Sequence, residues 1–171
     1  MLGIDPGLSR CGYGAVRADS SATRAIAIGV IKTAASTPLP NRLAELQLEL
    51  RDLLAELKPD VVAVERIFFQ NNVRTAMSVG QASGLAMAEA VAAGCEVVQY
   101  SPNEVKLAVT GDGSADKAQV QEMVRRLLGL SAVPKPADAA DAAAIALCHL
   151  AHAPVRARIN KAQLSASGGS R

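Results

Sequence analysis

The chain has 171 residues, half of them hydrophobic, and a formal net charge of +2. That length holds one well-cored domain and is short for two, and so small a charge leaves any contact with nucleic acid to local Arg and Lys clusters. No window approaches the roughly 20 uninterrupted apolar residues of a membrane span, no leader-like segment precedes the first strand, and Cys11, Cys95 and Cys148 are too few and scattered for a disulfide framework, so a cytoplasmic protein with reduced thiols is expected.

"MLGID" (1–5) reads as a buried strand, and "GYGAVRAD" (12–19) and "ATRAIAIGVIK" (22–32) as two more, joined by a turn at 19–21 short enough for a hairpin. Leucines at 43, 46, 50, 53, 54 and 57 recur at helical spacing and predict an amphipathic helix over 42–57. "VVAVE" (61–65) is a continuous apolar strand of the kind found at the centre of a sheet covered on both faces. After the loop "RIFFQNN" (66–72), a helix over 73–93 is rich in Gly, Ala and Ser, which permit close approach by another element. A strand at 95–101 and helices at 102–110 and 117–130 follow. The alanine-rich "PKPADAADAAAIALCHLAH" (134–152) is the last helix of a domain over 1–153, and 154–171 reads as a basic, disordered tail. The expected fold class is α/β, a mixed five-stranded sheet flanked by helices. A right-handed crossover from the third strand places the first and fourth side by side at its centre.

Asp5 ends the first strand and Glu65 the fourth, so adjacency would bring them within about one strand spacing, ~5 Å. Asp138 and Asp141, at i and i+3 of a helix that is otherwise apolar, share one face and can be aimed at the same place. Taken singly, each acid has an ordinary structural use: Asp5 in a "DPG" turn, Glu65 at a strand end, Asp138 as a helix cap and Asp141 as a first-turn residue favoured by the dipole. Together, four carboxylates without basic partners would repel and neutralise unless divalent cations filled the gap. Two Mg²⁺ ions roughly 4 Å apart would stabilise both the attacking and the leaving oxygen of a phosphodiester. The constellation points to a metal-dependent nuclease. His149 and His152 lie two to three turns beyond Asp141, too far to join that cluster, and read as packing or solvated residues.

Five blocks in order, "GIDPGLSRCGYG", "VERIFFQNN", "SVGQASGLAMAEA", "SPNEVKLAVTGDGSADKAQVQEMV" and "ADAADAAAIALCH", resemble the RuvC family of Holliday junction resolvases. The resemblance runs to about residue 153. It implies a ribonuclease-H-like fold and a homodimer that resolves four-way DNA junctions by paired symmetric nicks in recombination and repair. It also implies two Mg²⁺ ions per site, with Mn²⁺ as a substitute, and a branch-migration complex of the RuvA and RuvB type as partner. By position in those blocks, Asp5, Glu65, Asp138 and Asp141 match the family's catalytic, metal-binding acids. Some members carry His where this chain has Asp138. Phe68 matches an aromatic that stacks on unpaired bases at the junction centre, a contact that tolerates any sequence. Lys106 and Lys117 match lysines near the active site, and Arg74, with Arg10, Arg66, Arg125 and Arg126, is a candidate for the DNA backbone. The helix over 73–93 fits the family's dimer interface, and a two-fold pair suits a substrate that is itself nearly two-fold symmetric.

Three other readings compete. An actin-like or sugar-kinase-like ATPase also puts a "DxG" at its first strand, but needs two such domains; "GDGSADK" lacks the spacing of a phosphate-binding Walker loop. Another ribonuclease-H-like nuclease, acting on RNA:DNA hybrids or precursor RNA, shares the fold, and the "RIFFQNN" loop and the Asp138/Asp141 pair favour the resolvase. A non-catalytic junction-binding protein would not need all four acids.

Overall fold

The computed structural model describes residues 1–19, 22–66 and 73–167, the side chains of 73–75 and 154–167 excepted. Along the chain come β1 (Leu2–Asp5), β2 (Arg10–Ala18), β3 (Thr23–Lys32), α1 (Leu39–Leu57), β4 (Val61–Glu65), α2 (Val73–Ala92), β5 (Glu96–Tyr100), α3 (Pro102–Thr110), α4 (Lys117–Leu127) and α5 (Ala137–Ser167). The strands form one mixed sheet in the order β3-β2-β1-β4-β5. β1 pairs antiparallel with β2 and parallel with β4, so the first and fourth strands are central neighbours, as the crossover rule requires.

Alternation along the strands splits the apolar side chains between two layers. Leu2 and Ile4 of β1 and Val62 and Val64 of β4 join Leu46, Leu50 and Leu54 of α1 and Ala82, Ala86 and Ala90 of α2. On the opposite face, Val16, Ala63, Val98 and Tyr100 pack with Val105, Val109, Val120, Val124 and Ile145 of α3, α4 and α5. Ala139 through Ala146 of α5 are almost wholly buried against this face, apart from the half-buried Asp141. Gly3, Gly12 and Gly14 of β1 and β2 lie beneath them. Alanine on the helix and glycine on the strands leave almost no side-chain thickness between the two, so helix and sheet meet backbone to backbone.

Two helix starts carry reciprocal caps that the sequence encodes as "SPNE" and "DKAQ". Ser101 Oγ accepts from the Glu104 amide while Glu104 accepts from the Ser101 amide at 2.7 Å. Asp116 and Gln119 do the same for α4, at 2.9 and 2.8 Å. The phenol of Tyr100 is hydrogen-bonded to His149 Nδ1 at 2.9 Å and its ring lies 5.4 Å from that of His152, which ties β5 to α5 and gives both histidines packing roles. Cys11, Cys95 and Cys148 are free thiols, and burial pushes Cys11 and Cys148 up to about 12. Among the described residues no helix is long and apolar enough to cross a membrane.

The structure moves several boundaries. β2 begins at Arg10, two residues before its expected start, because Arg10 and Cys11 pair with Lys32 and Ile31 of β3. α1 gains a turn at Leu39, with proline in its first turn where no amide is needed. α4 stops at Leu127. The backbone of α5 continues to Ser167, so 154–167, expected as a disordered tail, extends the last helix; its Ala, Arg, Lys, Gln and Leu are strong helix formers.

Candidate active site at the sheet edge

Each acid is placed by an element with a reason to be there. Asp5 is the last residue of β1 and lies opposite Gly12 of β2. Ile4 is in register with Val64, so Glu65 stands one step further at the same edge, itself paired with Tyr100 of β5. Val64 faces α1 and α2, so Glu65 points to the opposite face, that of α5. α5 arrives over the glycines with its first turns at that edge. A Cβ on Gly12 would meet the Asp138 backbone, which places Asp138 directly above the strand partner of Asp5.

The electrostatics confirm that the four acids share one space. Burial first, then the charges of Glu65, Asp141 and Asp138, push the Asp5 carboxyl up to about 7. Burial and the charge of Asp141 raise Glu65 as well. Like charges in a poorly solvated corner disfavour their own ionisation. Two cations answer them. Lys117, the first residue of α4, brings Nζ to 2.5 Å from Asp141 Oδ2, and Arg10 Nη1 lies 4.0 Å from Asp138 Oδ2. Burial lowers the Lys117 ammonium, but its hydrogen bond to Asp141 and the charges of Asp141, Asp5 and Asp138 outweigh that and leave it raised.

Among the described residues no three Asp, Glu, His or Cys side chains are already closed around one point. Asp138 and Asp141 are turned toward Arg10 and Lys117 instead. The donor chemistry nevertheless fits a hard divalent cation: all four groups are carboxylates, and the excess negative charge that lifts Asp5 is the charge such an ion would offset. Lys117 already contributes positive charge at the same spot.

Of the other candidates, Lys106 on α3 exerts its charge on Asp112 in the following loop. Phe68 lies outside the described residues, and so does the side chain of Arg74, whose backbone is in the first turn of α2. Arg125 and Arg126 are both held by Glu122, at 2.8 and 2.7 Å. Arg66 extends the β4–β5 ladder through its amide to Tyr100 O at 2.7 Å. Arg10, one of several arginines that sequence could not rank, lies beside an acid of the site. Its position depends on the path of the chain from the "DPG" turn into β2 and on where α5 comes down over that strand.

Comparison with known proteins gives a consistent picture. Residues 1–149 match the family model described as crossover junction endodeoxyribonuclease RuvC. A protein of that name from Chloroflexus aggregans is 50% identical over 157 residues, 92% of this chain and 96% of the relative. Another from Salinispora arenicola is 52% identical over 160 residues, 93% of this chain and 91% of the relative. Among solved structures, Thermus thermophilus RuvC in complex with a Holliday junction substrate superposes with a TM-score of 0.84 at 38% identity, covering 89% of this chain and 93% of that one. The yeast mitochondrial Holliday junction resolvase Ydc2, at 17% identity and a TM-score of 0.62, covers 88% of this chain and 78% of its own and shares the fold.

Proposed function

This chain belongs to the RuvC family of Holliday junction resolvases, ribonuclease-H-like crossover junction endodeoxyribonucleases that use divalent metal, and from that premise we propose that Asp5, Glu65, Asp138 and Asp141 are its catalytic acids. The observation that carries the assignment is the meeting at one sheet edge of Asp5 from β1, Glu65 from β4 and the start of α5 with Asp138 and Asp141, where burial first and then the charges of the other three acids push the Asp5 carboxyl up to about 7. We assign them two Mg²⁺ ions, with Mn²⁺ as a substitute. When bound, such ions supply positive charge to both the attacking and the leaving oxygen of a phosphodiester and acidify water at neutral pH.

The chain's own residues do the rest. Asp5 faces the other three acids and gives up its proton as a cation is taken up. Glu65 and Asp141 flank it. Lys117 fixes the rotamer of Asp141 and keeps a positive charge where a phosphate must approach carboxylates. Arg10, exposed beside Asp138, can release that acid and turn to a DNA phosphate. Lys106 and Arg74 would follow the backbone, and Phe68 would stack on an unpaired base. The nuclease unit is 1–153, with 154–171 outside it. It works in the cytoplasm as a homodimer whose two sites nick opposed strands of a four-way junction, in partnership with a branch-migration complex of the RuvA and RuvB type.

The test is incubation of the purified protein and Mg²⁺ with an end-labelled four-way junction, beside linear duplex and RNA:DNA hybrid, with Asp5→Asn as the blank. Paired, ligatable nicks in the junction alone, absent from the variant, are the expected result. Cutting of the hybrid, or junction cutting by the variant, would refute the assignment.

A further inference from the structure

The inference rests on the reading of the four acids as cation ligands and concerns what spaces them. Asp5 and Gly12 oppose each other across the β1–β2 ladder, so both face α5. A Cβ on Gly12 would stand 2.6 Å from the Asp138 carbonyl carbon, closer still to its oxygen, and 3.3 Å from the Ala142 methyl. Backbone atoms cannot swing aside as a flexible side chain does. Gly14 makes the same kind of contact further along the helix, where a Cβ would lie 2.6 Å from Ala143 Cα. Of the glycines under α5, Gly12 is the one that abuts an acid of the site while pairing with another.

We propose that Gly12 is a positioning residue that gauges the gap between Asp5 and Asp138, and that the gap is matched to a small, strictly octahedral cation. With only hydrogen on Gly12, the first turn of α5 rests on the strand; a methyl must lift it by on the order of 1 Å to restore ordinary contact. Mg²⁺ demands ligands at about 2.0–2.1 Å in near-ideal geometry, whereas Ca²⁺ accepts about 2.3–2.6 Å and irregular shells. Widening the gap therefore penalises the smaller ion.

The experiment is calorimetric titration of Mg²⁺ and of Ca²⁺ into the full chain without DNA, for wild type, Gly12→Ala, Gly14→Ala, Asp138→Glu and the double variant Gly12→Ala/Asp138→Glu. Gly12→Ala should bind Mg²⁺ at least about tenfold more weakly, and Ca²⁺ no more than about threefold more weakly. Gly14→Ala, overpacked against the same helix, should keep both affinities within about threefold of wild type. Asp138→Glu alone should weaken Mg²⁺ binding, and in the Gly12→Ala background it should restore it, because the longer side chain spans the widened gap. Equal loss of Mg²⁺ and Ca²⁺ in Gly12→Ala, or equal Mg²⁺ loss in Gly12→Ala and Gly14→Ala, overturns the gauge. Should Gly12→Ala not fold, Asp138→Glu decides: loss of Mg²⁺ with Ca²⁺ retained supports the gauge, and parallel losses overturn it. Asp5→Asn binding both ions like wild type would instead overturn the acid-site reading beneath it.

Discussion

Asp5→Asn should make the protein more stable in cation-free buffer at pH 8, even as it ends cleavage. A carboxyl held up to about 7 by burial and by Glu65, Asp141 and Asp138 sits roughly three pH units above its value in an unfolded chain, and each unit corresponds to ~1.4 kcal/mol. The ceiling is therefore ~4 kcal/mol, and ~2–4 kcal/mol is expected once partial access to water is counted. The sign follows from proton binding. Because the folded state holds this proton more tightly than the unfolded state, the contribution of Asp5 is most favourable below about pH 4 and is lost as pH rises toward 7. Asparagine keeps the shape without the charge. Urea unfolding of wild type and variant with a chelator at pH 4, 6 and 8 measures the difference directly. It should be near zero at pH 4 and grow to its full value at pH 8, and added Mg²⁺ should stabilise the wild type alone. A variant no more stable than wild type at pH 8, or a difference that does not change with pH, would refute the account of crowded carboxylates.

Further outcomes follow from single contacts. Lys117→Ala removes the partner of Asp141, yet because the lysine is largely exposed its loss should cost less than about 1 kcal/mol in urea unfolding. Junction cleavage should nonetheless fall by about tenfold or more, since the same lysine orients an acid of the site; unchanged cleavage would remove Lys117 from the mechanism. Tyr100→Phe deletes the buried hydroxyl bonded to His149 and should lower stability by ~1–2 kcal/mol, read from the urea midpoint. A thiol reagent at neutral pH should modify Cys95 well before Cys11 and Cys148, whose burial keeps them protonated; equal rates would contradict the packing around them.

Much of this was legible in the sequence because it was written in local patterns. Leucines at helical spacing located α1, and the continuous apolar run located β4. The crossover rule then put β1 beside β4 and brought Asp5 to Glu65. What could not be read was set by tertiary contact. The early start of β2 depends on pairing of Arg10 with Lys32, and the placing of Arg10 by Asp138 depends on the turn before it. The pairing of Lys117 with Asp141 joins residues 24 positions apart on separate helices. The glycines of β1 and β2 read only as strand residues in "MLGID" and "GYGAVRAD", and the helix lying on them reveals them as a seat. Past residue 153 the backbone of α5 runs on to Ser167, through Ala, Arg, Lys, Gln and Leu that favour a helix.

The central sheet also divides the molecule by task. Asp5 and Glu65 face the layer built from α3, α4 and α5, which itself carries Asp138 and Asp141, while Leu46, Leu50 and Leu54 fill the layer behind the sheet with α2. Trimming one of those leucines to alanine costs ~2–5 kcal/mol of fold stability, on the face of the sheet away from the acids. Heat tolerance can therefore be tuned on the α1–α2 side in small apolar steps, leaving the chemistry across the sheet as it was. On the α5 side there is less room near the site, since Ala139, Ala140 and Ala142 are buried beside Asp138 and Asp141 and enlarging them bears on the acids themselves. Adaptation to a hotter or colder habitat should accordingly leave its marks on one side of the sheet and not the other.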